Sequence, residues 1–321
     1  MSIHLSGDAS AKKSAVVNGG KHGLFIVSDF DRTLTWGKYS SHGVFQSSPL
    51  ISDEFRSRTT ALLRKYYPIE CDVTVPKEAK YQAMADWIAA VNGIIVDSHI
   101  SQQLLHDIVE KASREAEAGG MLRTGTKELL FTAAKEDIPV SIFSAGVTPI
   151  IGEIIKQETG LSDINKTSKN ISIIANDATW SEDCIIEAFV PPLIHSMNKH
   201  EIPIEYNEKI KGYLDALLEE ERERGAALPA PPRFLVVGDT PSDALMADVM
   251  VEYWNAHTRY PEFKPVVLRV GILSKYEPDS EETKPVIQEY LLHFDIVVSG
   301  DGPLDFVNSL ISQILSKEKT N

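Results

Sequence analysis

The hydrophobic positions of the chain fall into short continuous runs, separated by longer segments with helical periodicity. Runs rich in β-branched and aromatic residues predict five strands, at residues 23–30, 138–146, 233–240, 266–273 and 294–300. Continuous hydrophobic runs are typical of a parallel sheet that is covered on both faces. Intervening segments such as 148–160 and 207–225 have helical spacing, and Gly160 and Gly225 are suited to end those helices. The alternation predicts an α/β protein with a doubly wound, Rossmann-like parallel sheet.

Residues 41–121 depart from this alternation. Between the first and second predicted strands, three successive stretches have helical patterns and none has a strand pattern. We therefore predict a mainly helical cap domain at 41–121, inserted into an α/β core formed by 22–40 and 122–321. Residues 1–21 are polar and lack the long apolar segment of a signal peptide, so we expect a flexible tail there.

The composition limits the classes of function. The chain has 321 residues, of which 43% are hydrophobic, enough for a substantial core. A net charge of −14 argues against a protein that binds nucleic acid polymers or anionic membranes. No run of about 18 apolar residues predicts a membrane span. The two cysteines, Cys71 and Cys184, lie far apart, which fits a reducing compartment such as the cytoplasm. The sequence predicts no particular oligomeric state.

Polar side chains follow three of the predicted strands. Asp29 and Asp31 end the first, Ser144 follows the second, and Asp239 and Asp243 follow the third. Because ligands bind beyond the carboxyl ends of parallel strands, these groups are expected to meet at one edge of the sheet. Each motif alone is more often a turn or a helix cap. Together, clustered carboxylates repel one another unless a cation compensates them, and oxygen ligands favour Mg²⁺, so the set predicts a catalytic metal site.

The same motifs carry a resemblance to a known family. The segments that resemble the haloacid-dehalogenase (HAD) superfamily of aspartate-nucleophile phosphatases are "DFDRTLT" (29–35), "FSAG" (143–146) and "GDTPSD" (238–243). Those that resemble the cytosolic pyrimidine 5′-nucleotidase family, also called UMPH-1 or type III, include "RKYYPIECD" (64–72), "LIHSMNKHE" (193–201) and "YLLHFDIVVSGD" (290–301). The resemblance extends from about residue 24 to residue 313 and leaves out the N-terminal tail.

The resemblance implies roles for the acidic residues. Asp29 would be the nucleophile that forms an aspartyl-phosphate, and Asp31 the general acid and base. Mg²⁺ would be bound by Asp29, the backbone carbonyl of Asp31 and Asp239. Asp243 would complete the acidic shell.

The resemblance also implies a phosphate site. Ser144 and the amides of Ala145 and Gly146 would bind phosphate oxygens, and Thr33 would contribute through its backbone. Lys199 would neutralise charge on the nucleophile and the phosphoryl group. Its spacing alone favours an ordinary surface lysine, so this assignment depends on the resemblance.

The predicted cap would recognise the leaving group. In "KYQAMADWIAAVNG" (80–93), helical spacing puts Tyr81, Met84 and Ile88 on one face with Trp87 beside them, which is usually a core pattern. The resemblance implies an acid before the tryptophan that hydrogen-bonds the base. Asp86 stands there, one methylene shorter than the glutamate expected at that position.

These observations and the resemblance together predict a Mg²⁺-dependent 5′-nucleotidase that hydrolyses nucleoside 5′-monophosphates through an aspartyl-phosphate. The resemblance favours pyrimidine nucleotides, but the sequence does not fix the preferred base. Two alternatives stay open: a HAD phosphatase for another small phosphoester, and a catalytically silent HAD-fold binding protein. A panel of phosphoester substrates distinguishes the first alternative from a 5′-nucleotidase. Turnover of any aryl phosphate excludes the second alternative.

Overall fold

A computed structural model of the protein describes residues 1–72, 74–224, 231–278 and 280–318. Its strands are β1 (Ser2–Leu5), β2 (Leu24–Ser28), β3 (Val140–Val147), β4 (Ile171–Asn176), β5 (Ala178–Trp180), β6 (Ile186–Phe189), β7 (Arg233–Gly238), β8 (Val266–Leu273) and β9 (Ile296–Ser299). Its α-helices are α1 (Ala9–Asn18), α2 (Ser41–Ser47), α3 (Asp53–Cys71), α4 (Lys77–Asp97), α5 (Gln102–Glu115), α6 (Thr126–Glu136), α7 (Thr148–Thr159), α8 (Ile164–Thr167), α9 (Glu208–Arg224), α10 (Asp248–His257), α11 (Thr283–Tyr290) and α12 (Asp305–Glu318). Short 3₁₀ helices span Lys199–Glu201, Ile204–Tyr206 and Pro241–Leu245.

The main sheet has the strand order β1-β9-β8-β7-β2-β3-β4. Strand β1 pairs antiparallel with β9, and the other neighbours pair parallel. Ser28, the last residue of β2, lies opposite Val237 of β7 and Ile142 of β3. The carboxyl ends of β7, β2 and β3 therefore lie side by side, as the sequence predicts.

Both faces of the sheet are covered. Along β2, Leu24 and Ile26 belong to a core cluster shared with α1, α6, α7 and α12, whereas Phe25 and Val27 belong to a second cluster with α9 and α10. Successive strand residues point to opposite faces, so burial on both faces produces the continuous hydrophobic run seen in the sequence. The predicted doubly wound α/β fold is confirmed.

The predicted flexible tail is wrong for most of residues 1–21. Residues 2–5 form β1, paired with β9, and residues 9–18 form α1, which buries Ala9, Val16 and Val17. Strand β1 has only four residues, which alternate between half-buried and exposed, so its local pattern is weak. The backbone partner that orders it lies nearly the whole chain length away, where no local pattern reveals it.

One strand and one helix end can also be compared with the sequence. Strand β4 was not predicted, although "ISII" is an apolar run; it pairs with β3 and extends the sheet. Gly160 ends α7 in the left-handed conformation, at φ 84°, as expected of a helix C-cap. Gly225 lies outside the described residues.

Helices α2 to α5 occupy Ser41–Glu115, between β2 and β3, so this region is helical as predicted. The side chains of Ser40, Ser52 and Ser101 cap α2, α3 and α5 by accepting hydrogen bonds from backbone N–H groups of the first turn. The division of the chain into a core and a cap domain stays a prediction. Within the described ranges, no helix combines the length and hydrophobicity needed to cross a membrane.

Candidate active site

Three carboxylates lie together at the carboxyl edge of the sheet. Asp29 follows β2, and its N–H donates to the carbonyl of Val237 on β7 at 2.9 Å. One carboxylate oxygen from each of Asp29, Asp239 and Asp243 lies within 4.8 Å of the other two. Asp29 and Asp243 are buried, and Asp239 is half-buried. Carboxylates at this spacing repel strongly unless positive charge compensates them.

Lys199 supplies part of that charge. Its Nζ lies 2.5 Å from an Asp29 oxygen and 2.7 Å from an Asp243 oxygen, and all three side chains are buried. Burial by itself lowers the pKa of Lys199, but Asp243 and Asp29 outweigh it and raise the pKa above its usual value. A lysine that looks like a surface residue in the sequence is thus held, charged, inside the cluster.

The Lys199 ammonium alone does not balance three carboxylates. Burial raises the pKa of Asp29 to about 7; Lys199 opposes this shift and Asp243 adds to it. Burial, then repulsion from Asp29 and Asp243, raises the pKa of Asp239 well above its usual value, although the charges of Arg32 and Lys199 oppose the shift. A divalent cation favours the ionised form of its carboxylate ligands. An all-oxygen donor set with surplus negative charge therefore fits a hard cation.

The "GDTPSD" motif forms a tight turn that returns Asp243 to the cluster. Asp243 Oδ2 accepts hydrogen bonds from the Thr240 N–H at 2.9 Å and the Thr240 hydroxyl at 2.8 Å, capping the 3₁₀ helix Pro241–Leu245. A Cβ at Gly238 would lie 2.2 Å from the Asp243 Cβ. Glycine is therefore required there for Asp243 to fold back over the end of β7.

The side chain of Asp31 lies outside this cluster. Its carboxylate accepts hydrogen bonds from the Ser41 N–H at 2.7 Å and the Ser41 hydroxyl at 2.9 Å, at the start of α2. A hydroxyl both donates and accepts, so this pair can persist whether or not Asp31 carries a proton. A Cβ at Gly146 would lie 2.2 Å from the Ser41 hydroxyl, so glycine there leaves room for Ser41 beside Asp31.

These residues form the floor of a cavity of about 370 Å³. Ser144 and Ala145 line it beside Asp29 and Asp31. Gly146 lies outside the lining and its N–H donates to the Ser144 hydroxyl at 3.0 Å, which goes against its predicted phosphate contact. Helices α3 and α4 form what we call the helical wall, and the wall residues that line the cavity are Phe55, Thr59, Leu63, Tyr67, Glu70, Met84, Trp87, Ile88 and Val91. The cavity is therefore ionic at the floor and largely apolar at the wall.

A comparison with models of protein families identifies the family to which the chain belongs. The model of the pyrimidine 5′-nucleotidase (UMPH-1) family matches residues 33–315, most of the 321 residues. The chain belongs to the UMPH-1 family. The predicted family, and with it the class of phosphoric monoester hydrolase, is confirmed. The matched residues begin after Asp29 and Asp31, so the match does not include these two acids.

Several similar proteins are named as 5′-nucleotidases. The human "7-methylguanosine phosphate-specific 5′-nucleotidase" is 29% identical over 94% of this chain and 88% of its own length. The "putative cytosolic 5′-nucleotidase 3" of Caenorhabditis elegans is 26% identical over 96% of this chain and 73% of its own length. A solved structure of cytosolic 5′-nucleotidase IIIB bound to cytidine aligns with 99% of this chain over 95% of its own length, with a TM-score of 0.77 and 23% identity. This likeness shows that the two proteins share a fold.

The UMPH-1 chain does not bring every predicted site residue to the cavity. Thr33 is buried away from it: its N–H donates to the Phe30 carbonyl at 3.3 Å and its carbonyl accepts from Arg123 at 2.9 Å. The Thr33 backbone is therefore engaged within the protein, which goes against the predicted phosphate contact. Trp87 does line the cavity and stacks on Tyr66, with ring centroids 6.0 Å apart.

Asp86 is exposed and lies outside the cavity lining, which goes against the prediction that it contacts the base. Its carboxylate accepts a hydrogen bond from Gln82, one turn earlier on α4, at 2.8 Å. The helix explains this position: Met84, Trp87 and Val91 follow helical spacing and share the cavity face, and Asp86 is rotated about 100° away from Trp87.

Glu70 is the wall acid that sequence reasoning missed. It lines the cavity, and its carboxylate accepts a hydrogen bond from the Ser196 hydroxyl at 2.8 Å. The segment "RKYYPIECD" resembles the family, but the resemblance implies no role for Glu70. The available signal was the spacing of Tyr67 and Glu70, three residues apart and hence on one face of α3.

Proposed function

We propose that this protein is a Mg²⁺-dependent 5′-nucleotidase that hydrolyses nucleoside 5′-monophosphates through an aspartyl-phosphate on Asp29. The observation that carries the proposal is the buried cluster of Asp29, Asp239, Asp243 and Lys199, which faces an aromatic and apolar wall across one cavity. A nucleoside monophosphate has the same polarity, since a charged phosphate and an aromatic base stand at its two ends.

In the first half-reaction, an Asp29 oxygen attacks phosphorus while the bond from phosphorus to the ester oxygen breaks. Asp31 donates a proton to that oxygen, which leaves as the 5′-hydroxyl of the nucleoside. Lys199 stabilises negative charge on the nucleophile and the phosphoryl oxygens. Ser144 and the Ala145 amide bind the remaining phosphoryl oxygens, a role supported by their place in the cavity lining.

In the second half-reaction, water attacks phosphorus and Asp31 accepts its proton. The bond between phosphorus and the Asp29 oxygen breaks, which releases inorganic phosphate and restores the carboxylate. Mg²⁺ would be held by the side chains of Asp29, Asp239 and Asp243 together with the Asp31 carbonyl. When bound, it supplies charge stabilisation to the phosphoryl group.

Glu70 and Trp87 lead us to propose which bases are preferred. A carboxylate only accepts hydrogen bonds, so it favours a base edge that carries N–H groups, such as the cytosine amino group. CMP is therefore the pyrimidine substrate we favour. 7-Methylguanosine monophosphate is a second candidate, because its positively charged base suits both a carboxylate and the face of an indole ring. The names of the relatives and the family description agree with these two classes. A cytoplasmic site of action is supported by the separated cysteines.

The test is a phosphate-release assay with Mg²⁺ on CMP, UMP, AMP, GMP, 7-methylguanosine monophosphate, a hexose phosphate and an aryl phosphate. We expect turnover of CMP or 7-methylguanosine monophosphate to exceed that of the hexose phosphate by at least about tenfold, and EDTA to abolish it. Full activity in excess EDTA would contradict the role of Mg²⁺. Preference for the hexose phosphate would replace the 5′-nucleotidase proposal with the alternative of another phosphoester.

A further inference from the structure

Arg32 is a cation of the cavity that has no role in the mechanism proposed above. It directly follows Asp31, and its backbone is left-handed, with φ 61°. Its N–H donates to the Thr35 hydroxyl at 2.7 Å, and its carbonyl accepts from Arg123 at 2.8 Å. Left-handed backbone is uncommon for a residue with a side chain, and these bonds hold it in place. The Arg32 side chain therefore starts from a fixed point and lines the cavity.

A second arginine of the same region shows what is unusual about Arg32. The guanidinium of Arg123 is buried and all three of its nitrogens donate, to acceptors provided by Arg32, Thr33, Ser274, Asp301 and Gly302. Such an arginine is structural. The guanidinium of Arg32, by contrast, makes no hydrogen bond with any residue in the described part of the chain. Because arginine has five N–H donors and no acceptor, Arg32 presents free donors to whatever occupies the cavity.

The Arg32 side chain starts at the floor of the cavity and belongs to its lining. Its backbone directly follows Asp31, and the same lining continues from Asp31 and Asp239 at the floor to Tyr67 and Glu70 on the helical wall. Burial lowers the pKa of Arg32, but these four groups raise it overall, so the guanidinium stays charged. In a nucleoside monophosphate bound with its phosphate at the floor and its base at the wall, the sugar occupies the level between them.

We infer that Arg32 is a specificity-determining residue that donates hydrogen bonds to the sugar hydroxyls of the nucleotide. The inference rests on the proposed function. A planar guanidinium presents neighbouring N–H groups in a fixed fork, and the vicinal 2′- and 3′-hydroxyls present two acceptor oxygens side by side. Lys199 and Ser144 already serve the phosphate, and Lys38, another lysine of the cavity lining, pairs with Glu117.

The test is a cycle that combines a substitution with a change of substrate. Arg32→Met and the wild type are compared on CMP, on 2′,3′-dideoxycytidine monophosphate and on an aryl phosphate. Removing a charge-assisted donor from a hydroxyl acceptor should lower kcat/KM on CMP by about tenfold or more. On the dideoxy nucleotide, which lacks the acceptors, and on the aryl phosphate, which reports any effect on the floor alone, the loss should be about twofold or less. Arg32→Lys should recover part of the CMP activity, because it keeps the charge but loses the fork.

Arg58→Met is the matched control. Arg58 is an arginine of α3 that pairs with Asp97 at 2.8 Å outside the cavity lining, so its loss should not alter the ratio of the two nucleotides. Equal losses for Arg32→Met on both nucleotides would overturn the inference and indicate charge balance or stacking on the base. Equal loss on the aryl phosphate would overturn it in favour of a contact with the phosphate.

Two outcomes do not depend on the Arg32 variant being stable. A wild-type enzyme that hydrolyses CMP and its dideoxy analogue equally well would overturn the inference and leave the proposed function standing. A wild-type enzyme that hydrolyses the aryl phosphate and no nucleotide would overturn the proposed function, and the sugar contact with it.

Discussion

The floor of the cavity is ionic and buried, whereas the helical wall is mainly apolar and aromatic. The floor carboxylates and Ser144 follow three neighbouring strands, where backbone pairing fixes the separation of the strand ends. Wall residues stand on α3 and α4, where helical rotation decides which side chains face inward. Under the proposed function, the floor acts on the phosphate and the wall on the leaving group. Changes at the floor should therefore affect every substrate, and changes at the wall should affect nucleotides alone.

The largest expected effect is at the floor. Asp29→Asn keeps the shape of the side chain and removes the attacking oxygen's charge. We expect turnover of both CMP and the aryl phosphate to fall by on the order of a thousandfold or more, which corresponds to about 4 kcal/mol of barrier. Steady-state assays with Mg²⁺ measure this. Asp183→Asn, at an exposed aspartate outside the cavity lining, should leave both activities unchanged. Retention of a tenth of the wild-type rate would remove Asp29 from the nucleophile's role.

The second expected effect concerns the stability of the metal-free floor. Burial raises the pKa of Asp29 from 3.8 to about 7, so the folded state binds a proton that the unfolded state releases. The associated stability is fully present below the unfolded value and is lost as the pH rises through about 7. In EDTA, the free energy of unfolding should therefore decrease by on the order of a few kcal/mol between pH 5.5 and pH 8. A melting temperature that falls over this interval would report the decrease.

Two comparisons test that pH dependence. Asp29→Asn should flatten it, because asparagine does not titrate. Mg²⁺ should also reduce it, because the cation favours the ionised carboxylates. A wild-type protein whose metal-free stability rises over this pH interval would show that Lys199, and not burial, controls the charge of Asp29.

The third expected effect moves to the helical wall. Glu70→Gln replaces an acceptor-only group with one that also donates, so it should lower kcat/KM on CMP by about tenfold. Turnover of the aryl phosphate should stay within about twofold, because that leaving group has no N–H to offer. Asp86→Asn is the matched control: Asp86 is an exposed acid of α4 outside the cavity lining, and its neutralisation should alter neither activity.

The variants Glu70→Gln and Asp86→Asn also decide which acid contacts the base: Asp86, as the sequence predicts, or Glu70, as we propose from the structure. A nucleotide-specific loss in Asp86→Asn, with none in Glu70→Gln, would restore Asp86 as the base contact. A loss in Glu70→Gln on the aryl phosphate as large as that on CMP would mean that Glu70 supports the floor, through its hydrogen bond with Ser196, and does not read the base.

The two regions also differ in how far sequence reasoning could predict them. At the floor, a continuous hydrophobic run fixes where each strand ends, and parallel pairing brings the ends together, so the positions of Asp29, Ser144 and Asp239 followed from local patterns. Lys199 did not, because its burial against Asp29 and Asp243 comes from contacts far away in sequence. Its assignment came from the family resemblance alone.

At the wall, a prediction must fix the rotation of a helix about its axis. One residue's difference turns a side chain by about 100°, which separates exposed Asp86 from cavity-lining Trp87. The hydrophobic spacing of Met84 and Ile88 did predict the inward face, but it was read as a core pattern. The free guanidinium of Arg32 had no sequence signal, since it depends on which acceptors the fold leaves within reach.

The smallest expected effect is at Tyr81, which joins the two regions. The Tyr81 hydroxyl on α4 donates to Glu201 at 2.7 Å, and its ring meets that of His195 edge-on, with centroids 4.7 Å apart. Burial lowers the pKa of His195 to about 4, so this contact is with a neutral ring. Glu201 ends the 3₁₀ helix that begins at Lys199, so Tyr81 positions the segment that carries the floor ammonium.

Tyr81→Phe keeps the ring contact and removes only the hydroxyl. Because the hydrogen bond is exposed, its loss should be worth about 0.5–1 kcal/mol, or roughly two- to fivefold in kcat. The loss should be the same on CMP and on the aryl phosphate, since it acts through Lys199 and not through the base. Tyr213→Phe is the matched control, because the Tyr213 hydroxyl also donates to a carboxylate, that of Asp137, outside the cavity lining. A loss confined to CMP would instead mean that Tyr81 acts on the leaving group together with the helical wall, and not on the floor through Lys199.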